Sequence, residues 1–175
     1  MTKLLKITAV LSALILTGCG SEEPSNAIEV QKQLLPPSTM LSVKPTKSIT
    51  VAEARKSAVA GKEVTLSGQV GGVIAPFVSK RASMVLADHT TMKACNTTCS
   101  GCKTPWDFCC EPPEVRQQNT VTVQFVDQEG MVIRQGLENF EGIKHNSMIT
   151  IVGKYAPESN KEVVIINAEK IFLNK

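Results

Sequence analysis

The chain has 175 residues, a formal net charge of +3 and only seven aromatic residues. This length allows one small domain with a single core, in addition to any targeting segment. The weak charge and the scarcity of aromatic rings offer neither the basic groove nor the stacking platform of nucleic-acid-binding proteins. We therefore predict no nucleic-acid partner.

Residues 1–18 have the layout of a secretory leader. Lys3 and Lys6 precede an apolar run, 7–16, that is too short to span a bilayer. The next letters, LTGC at 16–19, resemble the lipobox of bacterial lipoproteins. That resemblance implies a signal peptide over 1–18 and an acylated (palmitate-bearing) Cys19. The alternative is a plain signal peptide that is cut near residue 18 or 20.

Acylation at Cys19 predicts a lipid-anchored protein of the bacterial cell envelope, with the lipid bilayer as its first partner. The next residue is Gly20 rather than Asp. In Gram-negative lipoproteins this resemblance favours the outer membrane, facing the periplasm. Loss of Lys3 and Lys6 with the leader lowers the formal charge from +3 to +1, so the mature protein is close to neutral.

Residues 19–48 are predicted to be the acylated N-terminus and a flexible tether. This segment holds four of the nine prolines, mixed charges and no periodic apolar pattern. The folded domain is then expected over 49–175. It opens with Thr50 and, three residues later, Glu53, a capping-box pattern that predicts a short helix over 51–60, with Gly61 after its end.

Segments that alternate at period two follow, and they are typical of strands. Turn-forming residues at 128–130 predict a hairpin into the run 131–133, and 135–142 is expected to form a turn or two of helix. The strands are predicted over 62–70, 81–88, 120–127, 147–155 and 162–173. The side chains predicted to form the core are Val64, Leu66, Val121, Val123, Phe125, Ile149, Ile151, Ile166 and Ile171.

The strand pattern resembles the five-stranded OB-fold barrel. The letters SGQVGG at 67–72 and CKTPWDFCCE at 102–111 resemble, more narrowly, a group of uncharacterised secreted bacterial OB-fold proteins with a TPWD-aromatic-CC segment. This resemblance implies a mainly β fold, a barrel with a short N-terminal helix and a Cys-rich insertion, 89–119, between strands two and three. It implies no particular activity. Cysteines of that group recur at the positions of Cys95, Cys102, Cys109 and Cys110, and Cys99 is additional here.

The cysteines of this Cys-rich loop (residues 89–119) lie in an oxidising compartment if the leader is correct. We predict a disulfide-stapled loop with two bridges among Cys95, Cys102, Cys109 and Cys110, and with Cys99 left over. Adjacent Cα atoms lie about 3.8 Å apart, closer than disulfides favour. Neighbouring Cys109 and Cys110 should therefore take separate partners. The pairing order stays open.

Two alternatives use the same cysteines. Four thiolates within one loop, with His89 as a further ligand, would suit zinc or monovalent copper. The letters CSGC at 99–102 have the spacing of a thiol-redox motif. They do not follow a strand and open a helix, which weakens the comparison with thioredoxin-type sites.

The remaining residues of interest are apolar or titratable side chains in loops. Pro105, Trp106 and Phe108 are predicted to anchor the Cys-rich loop on the barrel rather than to contact a ligand. The two histidines, His89 and His145, fall in different connections, and no nucleophile-elbow pattern is present. We therefore predict a non-catalytic binding or assembly module without a cofactor, whose partner is an envelope protein or a small ligand.

Overall fold

Six strands and two short helices follow one another in a computed structural model that describes residues 34–95 and 101–174. Single turns of 3-10 helix occur at Pro37–Thr39 and Phe140–Gly142. Within these residues, no helix has the length and the apolar character needed to cross a bilayer. The elements are β1 (Ile49–Thr50), α1 (Val51–Lys56), β2 (Glu63–Val70), β3 (Ser83–Ala87), α2 (Pro113–Gln118), β4 (Thr120–Gln124), β5 (Met148–Tyr155) and β6 (Ile165–Asn174).

Five of the strands close into a barrel. Strand β2 pairs antiparallel with both β3 and β5, and β4 joins β3 on one side and β6, in parallel, on the other. Pairing of β5 with β6 completes the ring, while the two-residue β1 lies outside it, parallel to β2. The predicted five-stranded OB-fold-like barrel is therefore confirmed, with the Cys-rich loop between β3 and β4, its second and third strands.

Apolar side chains alternate into the barrel, as the strand pattern predicts. Along β2 the even-numbered residues from Val64 to Val70 are buried, and the odd-numbered ones are exposed or half-buried. Gly68 packs where a Cβ would lie 2.8 Å from Val51 Cγ2, so α1 lies close against this strand. All nine side chains predicted for the core are buried: Val64, Leu66, Val121, Val123, Phe125, Ile149, Ile151, Ile166 and Ile171.

The capping box of α1 forms as predicted. The Thr50 hydroxyl accepts a hydrogen bond from the Glu53 amide at 3.2 Å, and the Glu53 carboxylate accepts one from the Thr50 amide at 2.8 Å. The helix ends at Lys56 rather than at residue 60, because Ser57 turns its hydroxyl back to the Glu53 carbonyl at 2.9 Å. Such a bond competes with continuation of the helix.

The predicted tether differs from the structure over the part that is described. Leu35 lies in the barrel core, and its amide donates to the Gln135 side-chain oxygen at 2.7 Å. Met40 forms a bridge with Ile171 of β6. Pro36 precedes a 3-10 turn. A proline restricts the backbone of the undocked segment, so less conformational entropy is lost when the segment docks. Residues 19–33, including Cys19, lie outside the described residues, as does the leader.

Two smaller predictions hold in part. The hairpin into the run 131–133 forms, with an antiparallel bridge between Val126 and Val132 and a hydrogen bond from the Asp127 amide to the Met131 carbonyl at 2.9 Å, but the run is not a regular strand. The expected helix over 135–142 is a single 3-10 turn, because Asn139 and Glu141 adopt left-handed backbone angles, with φ of 65° and 48°. Left-handed residues interrupt the hydrogen-bond pattern of a right-handed helix.

Candidate functional site: the Cys-rich loop

The Cys-rich loop leaves the barrel at Asp88, a fully buried carboxylate. Its Oδ2 accepts from the Ala52 amide of α1 at 2.7 Å, and its Oδ1 accepts from the Thr90 amide at 2.9 Å and hydroxyl at 2.5 Å and the Thr91 amide at 3.2 Å. Burial raises the pKa of Asp88, but these hydrogen bonds outweigh it and hold the pKa below its ordinary value. The start of the loop is thereby fixed to α1.

Sequence reasoning missed the helix that ends the loop. Helix α2 starts at Pro113, whose lack of an amide proton suits the first turn of a helix. Asn119 follows α2, and its side chain donates back to the Val115 carbonyl at 2.8 Å. The Pro112–Pro113 pair was the available signal. The helix has only six residues and no strong apolar periodicity, so the sequence pattern did not predict it.

Phe108 lies at the centre of the loop's contact with the barrel. Its side chain is fully buried in a small cluster with Ala87 and Met92, separate from the main core. The backbone of Phe108 is left-handed, with φ of 55°, a strained conformation for an aromatic residue. Favourable burial of the Phe108 ring is therefore combined with an unfavourable backbone conformation at the same residue.

Two glycines at the end of β2 let the loop approach the barrel closely. The Gly72 amide donates to the Trp106 carbonyl at 2.8 Å. A Cβ on Gly71 would lie 2.4 Å from that carbonyl oxygen and 3.1 Å from the Phe108 ring. The SGQVGG letters thus correspond to a contact surface that admits no side chain at residue 71.

Trp106 reaches beyond the loop to two other connections. Its indole nitrogen donates to the Ile74 carbonyl at 2.9 Å, and its ring lies 4.0 Å from the ring of His145. The Phe77 ring contacts the same imidazole edge-on, with ring centroids 5.3 Å apart. Pro105 is half-buried, and its carbonyl accepts from the Cys95 amide at 3.1 Å.

His145, which the sequence places in a connection, is half-buried beside two aromatic rings. Its Nδ1 lies 3.7 Å from a Glu138 carboxylate oxygen. No local pattern in the sequence links His145 to Trp106, because the contact joins segments that are remote along the chain. His89 is exposed and does not belong to either group of converging thiol and carboxylate atoms described below.

The cysteine side chains converge on one region of the loop. The Sγ atoms of Cys95 and Cys110 lie 3.2 Å apart. The thiols of Cys95, Cys109 and Cys110 all lie within 4.8 Å of one another, and so do the ligand atoms of Cys102, Asp107 and Cys109. No disulfide joins the four cysteines that the structure describes. Cys99 lies outside the described residues.

Asp107 is the carboxylate that lies within this cluster. Its carboxylate accepts from the Thr104 hydroxyl and the Cys109 amide, each at 2.8 Å. Burial raises the pKa of Asp107, but these bonds outweigh it, and the pKa lies below its ordinary value. Because the Cys109 thiol also donates to Asp107, the pKa of Cys109 is raised to about 11.

Cys95 has the opposite shift. The hydrogen bond between the Cys95 and Cys110 thiols is the main reason that the pKa of Cys95 lies below its ordinary value, although burial opposes this effect. The thiolate is the reactive form of cysteine. The pKa of Cys95 is thus shifted down and that of Cys109 is shifted up, so the two thiols of the cluster differ in the pH at which they ionise.

No protein-family model matches the chain. No curated protein matches it. A solved structure similar to the chain is that of the hypothetical protein ygiW from E. coli, at 16% sequence identity and a TM-score of 0.39. The match covers 78% of this chain and 96% of that one.

Proposed function

We propose that the chain is a membrane-anchored envelope lipoprotein whose OB-type barrel is a binding or assembly module, with a disulfide-stapled Cys-rich loop. The observation that carries the proposal is the approach of the Cys95 and Cys110 sulfurs to 3.2 Å. A disulfide bond measures about 2.05 Å, so closure needs a movement of about 1 Å. In an oxidising envelope such a pair of thiols is expected to oxidise.

The same geometry supports a particular pairing. If Cys110 joins Cys95, the constraint on adjacent cysteines leaves Cys109 to another partner. The Cys102 thiol lies within 4.8 Å of Cys109. The bridges are then Cys95–Cys110 and Cys102–Cys109, one nested inside the other, with Cys99 outside the pair.

A stapled loop would give the barrel a rigid additional surface. The loop contributes Trp106, which lies against His145 and donates to the carbonyl of Ile74, a residue with an exposed side chain. Pre-ordered loops lose less conformational entropy on binding than mobile ones. An envelope protein or a small ligand is the class of partner that this role implies.

Peptide mapping tests the staple directly. Protein is purified from the envelope without reductant, alkylated and digested. The expected result is two disulfide-linked pairs, Cys95–Cys110 and Cys102–Cys109, with Cys99 alkylated. Four alkylated thiols at these positions would overturn the staple.

The anchor is tested separately by replacing Cys19 with Ala and fractionating the cells. The processed variant is expected to leave the membrane fraction, since it lacks the acylated residue. A Cys99→Ser variant is the matched control and is expected to remain with membranes. Membrane association of the processed Cys19→Ala protein would contradict lipid anchoring.

Binding of zinc or copper is the second candidate, because three thiols converge within 4.8 Å and Cys102 adjoins one of them. Thiolates around zinc, each at about 2.3 Å, lie about 3.8 Å from one another. We favour the staple because thiols in an oxidising compartment tend to be lost to disulfides unless something protects them. Native mass spectrometry showing one tightly held metal ion and reduced cysteines would reverse the choice.

A further inference from the structure

A pocket with an entirely cationic set of charges lies away from the cysteine cluster. It has a volume of about 480 Å³ and lies where α1, α2 and the turn between β5 and β6 meet. Its charged lining residues are Arg55, Lys56 and Lys161, and no carboxylate lines it. For a mature chain close to neutrality, this is a local concentration of positive charge.

Arg55 is held in place by backbone oxygens rather than by an acid. Its Nη1 donates to the Thr120 carbonyl at 2.8 Å, and its Nη2 donates to the Glu162 carbonyl at 3.0 Å. A guanidinium has five N–H donors, so three remain for a ligand. Burial lowers the pKa of Arg55, which shows that its charge is partly removed from water.

The cations of the pocket lack carboxylate partners within the part of the chain that the structure describes. The two ion pairs among the described residues join His145 to Glu138 and Lys154 to Glu169, and none of these residues lines the pocket. A partly desolvated cation without a counter-charge costs stability. An anionic ligand would remove that cost, because it would supply the missing negative charge.

The amide groups of the pocket add donors to its cations, although Asn119 already gives one of its two N–H groups to the Val115 carbonyl. The Thr91 hydroxyl donates to Asn119 Oδ1 at 2.9 Å, so the amide oxygen of Asn119 is occupied by the wall itself. Gln118 lines the same pocket and adds an amide group. The nearby buried Asp88 has both carboxylate oxygens occupied by donors, which reduces its repulsion of an incoming anion.

We propose that this pocket binds a small oxyanion with at least two negative charges, such as a phosphate monoester or a dicarboxylate. Arg55 supplies a planar guanidinium held by two backbone oxygens, and Lys56 and Lys161 supply point charges in the same lining. The volume lies within the range of small-molecule sites. The inference rests on the proposed binding role of the barrel and adds the chemistry of its ligand.

Isothermal titration of the full chain in detergent tests the pocket with three probes: glycerol 3-phosphate, succinate and dihexanoyl phosphatidic acid below its micelle concentration. Saturable binding with a Kd below about 1 mM is expected for at least one probe. Binding of glycerol 3-phosphate or succinate identifies a soluble ligand. Binding of the phosphatidic acid alone identifies a lipid headgroup, and either result supports the site.

Variants then locate the binding. Lys56→Gln and Lys161→Gln change exposed side chains, and each is expected to weaken the affinity about tenfold. Lys62→Gln is the matched control, because it removes the same charge from an exposed residue that does not line the pocket. An equal loss in Lys62→Gln, or no saturable binding of any probe, would overturn the site. Peptide mapping of the bridges is a separate readout, so the two proposals fail independently.

Discussion

The barrel and the Cys-rich loop are stabilised in different ways. Continuous ladders hold the barrel: β2 alone pairs seven consecutive residues with β5, and its interior is a single cluster of aliphatic and aromatic side chains. Over its described residues, 89–95 and 101–119, the loop buries a small apolar cluster around Phe108 and Met92. Its other contacts are hydrogen bonds, close backbone contacts at Gly71 and Gly72, the ring contact of Trp106 with His145, and the converging thiols. The free energy of the barrel therefore comes mainly from apolar burial, and the order of the loop from a few specific contacts.

This difference predicts that the two regions respond to different perturbations. Removal of apolar volume should destabilise the barrel, because its side chains share one packed interior. A change in redox state or in the charge of Asp107 should act on the loop first. Each experiment below tests whether the barrel and the loop can be perturbed separately.

The largest effect is expected from Phe125→Ala. The Phe125 side chain is buried in the barrel cluster, so its removal leaves a cavity and should lower the free energy of unfolding by about 3 to 5 kcal/mol. Urea unfolding followed by circular dichroism measures the change. Phe172→Ala, at a half-buried aromatic residue of β6, is the control and should cost less. Equal and small losses would contradict the assignment of Phe125 to the core.

The comparison also explains which parts of the structure could be predicted from sequence. The barrel strands were found because alternation of apolar residues is a local signal, and every side chain predicted for the core is buried. The docking of Leu35 and the stacking of His145 on Trp106 were not found. These contacts depend on which surfaces the completed barrel brings together, and nothing in the neighbouring residues encodes that.

The candidate site was predictable in part for the same reason. Cysteine spacing indicated a cluster, but the chain alone did not indicate that the Cys95 and Cys110 sulfurs approach to 3.2 Å, because this approach depends on the path of the whole loop. The effect of Asp107 on the Cys109 thiol was not predicted. This effect arises from a turn that places the carboxylate next to the amide and the thiol two residues later.

Reduction of the bridges is expected to have the next largest effect. A disulfide that closes about 15 residues contributes about 3 kcal/mol, so oxidised protein should be more stable than reduced protein by about that amount. Hydrogen exchange should show that protection is lost mainly over 101–112 and retained in β2 and β5. Cys99→Ser should behave like the parent protein. Identical stability of the oxidised and reduced forms would argue against the staple.

A smaller effect is expected when the loop is displaced without any change in its chemistry. Gly71→Ala places a methyl group 2.4 Å from the Trp106 carbonyl oxygen, and such overpacking costs about 1 to 3 kcal/mol. Because Trp106 is the single tryptophan of the chain, its fluorescence reports the movement. The far-ultraviolet circular dichroism of the barrel should be retained.

Gly136→Ala is the matched control for this change, since a Cβ there meets nothing within 4 Å. It should leave both the fluorescence and the stability close to those of the parent protein. Unchanged tryptophan emission in Gly71→Ala would show that the loop does not rest on Gly71. Loss of the barrel spectrum in Gly71→Ala would show that loop and barrel form one cooperative unit, against the division proposed above.

The smallest effect concerns ionisation within the reduced loop. The pKa of Cys109 is raised to about 11, chiefly by its hydrogen bond to Asp107, so this contribution to stability is present below the unfolded thiol pKa of about 8.5 and is lost as the pH rises through 11. The lowered pKa of Asp107 acts in the opposite direction. Its contribution is present above the unfolded carboxyl pKa and is lost as the pH falls through the folded value.

Alkylation of reduced protein by iodoacetamide measures the thiol shift, with fragment-ion mass spectrometry to separate Cys109 from Cys110. In the parent protein Cys109 should reach half of its maximal rate near pH 11, and Cys95 at a lower pH than an ordinary thiol. Asp107→Asn should move the Cys109 midpoint down toward about 8.5, because the carboxylate no longer favours the protonated thiol. Asp127→Asn, in the turn after β4, should leave it unchanged. A Cys109 midpoint that is the same with and without the Asp107 carboxylate would show that this carboxylate does not raise the pKa of Cys109.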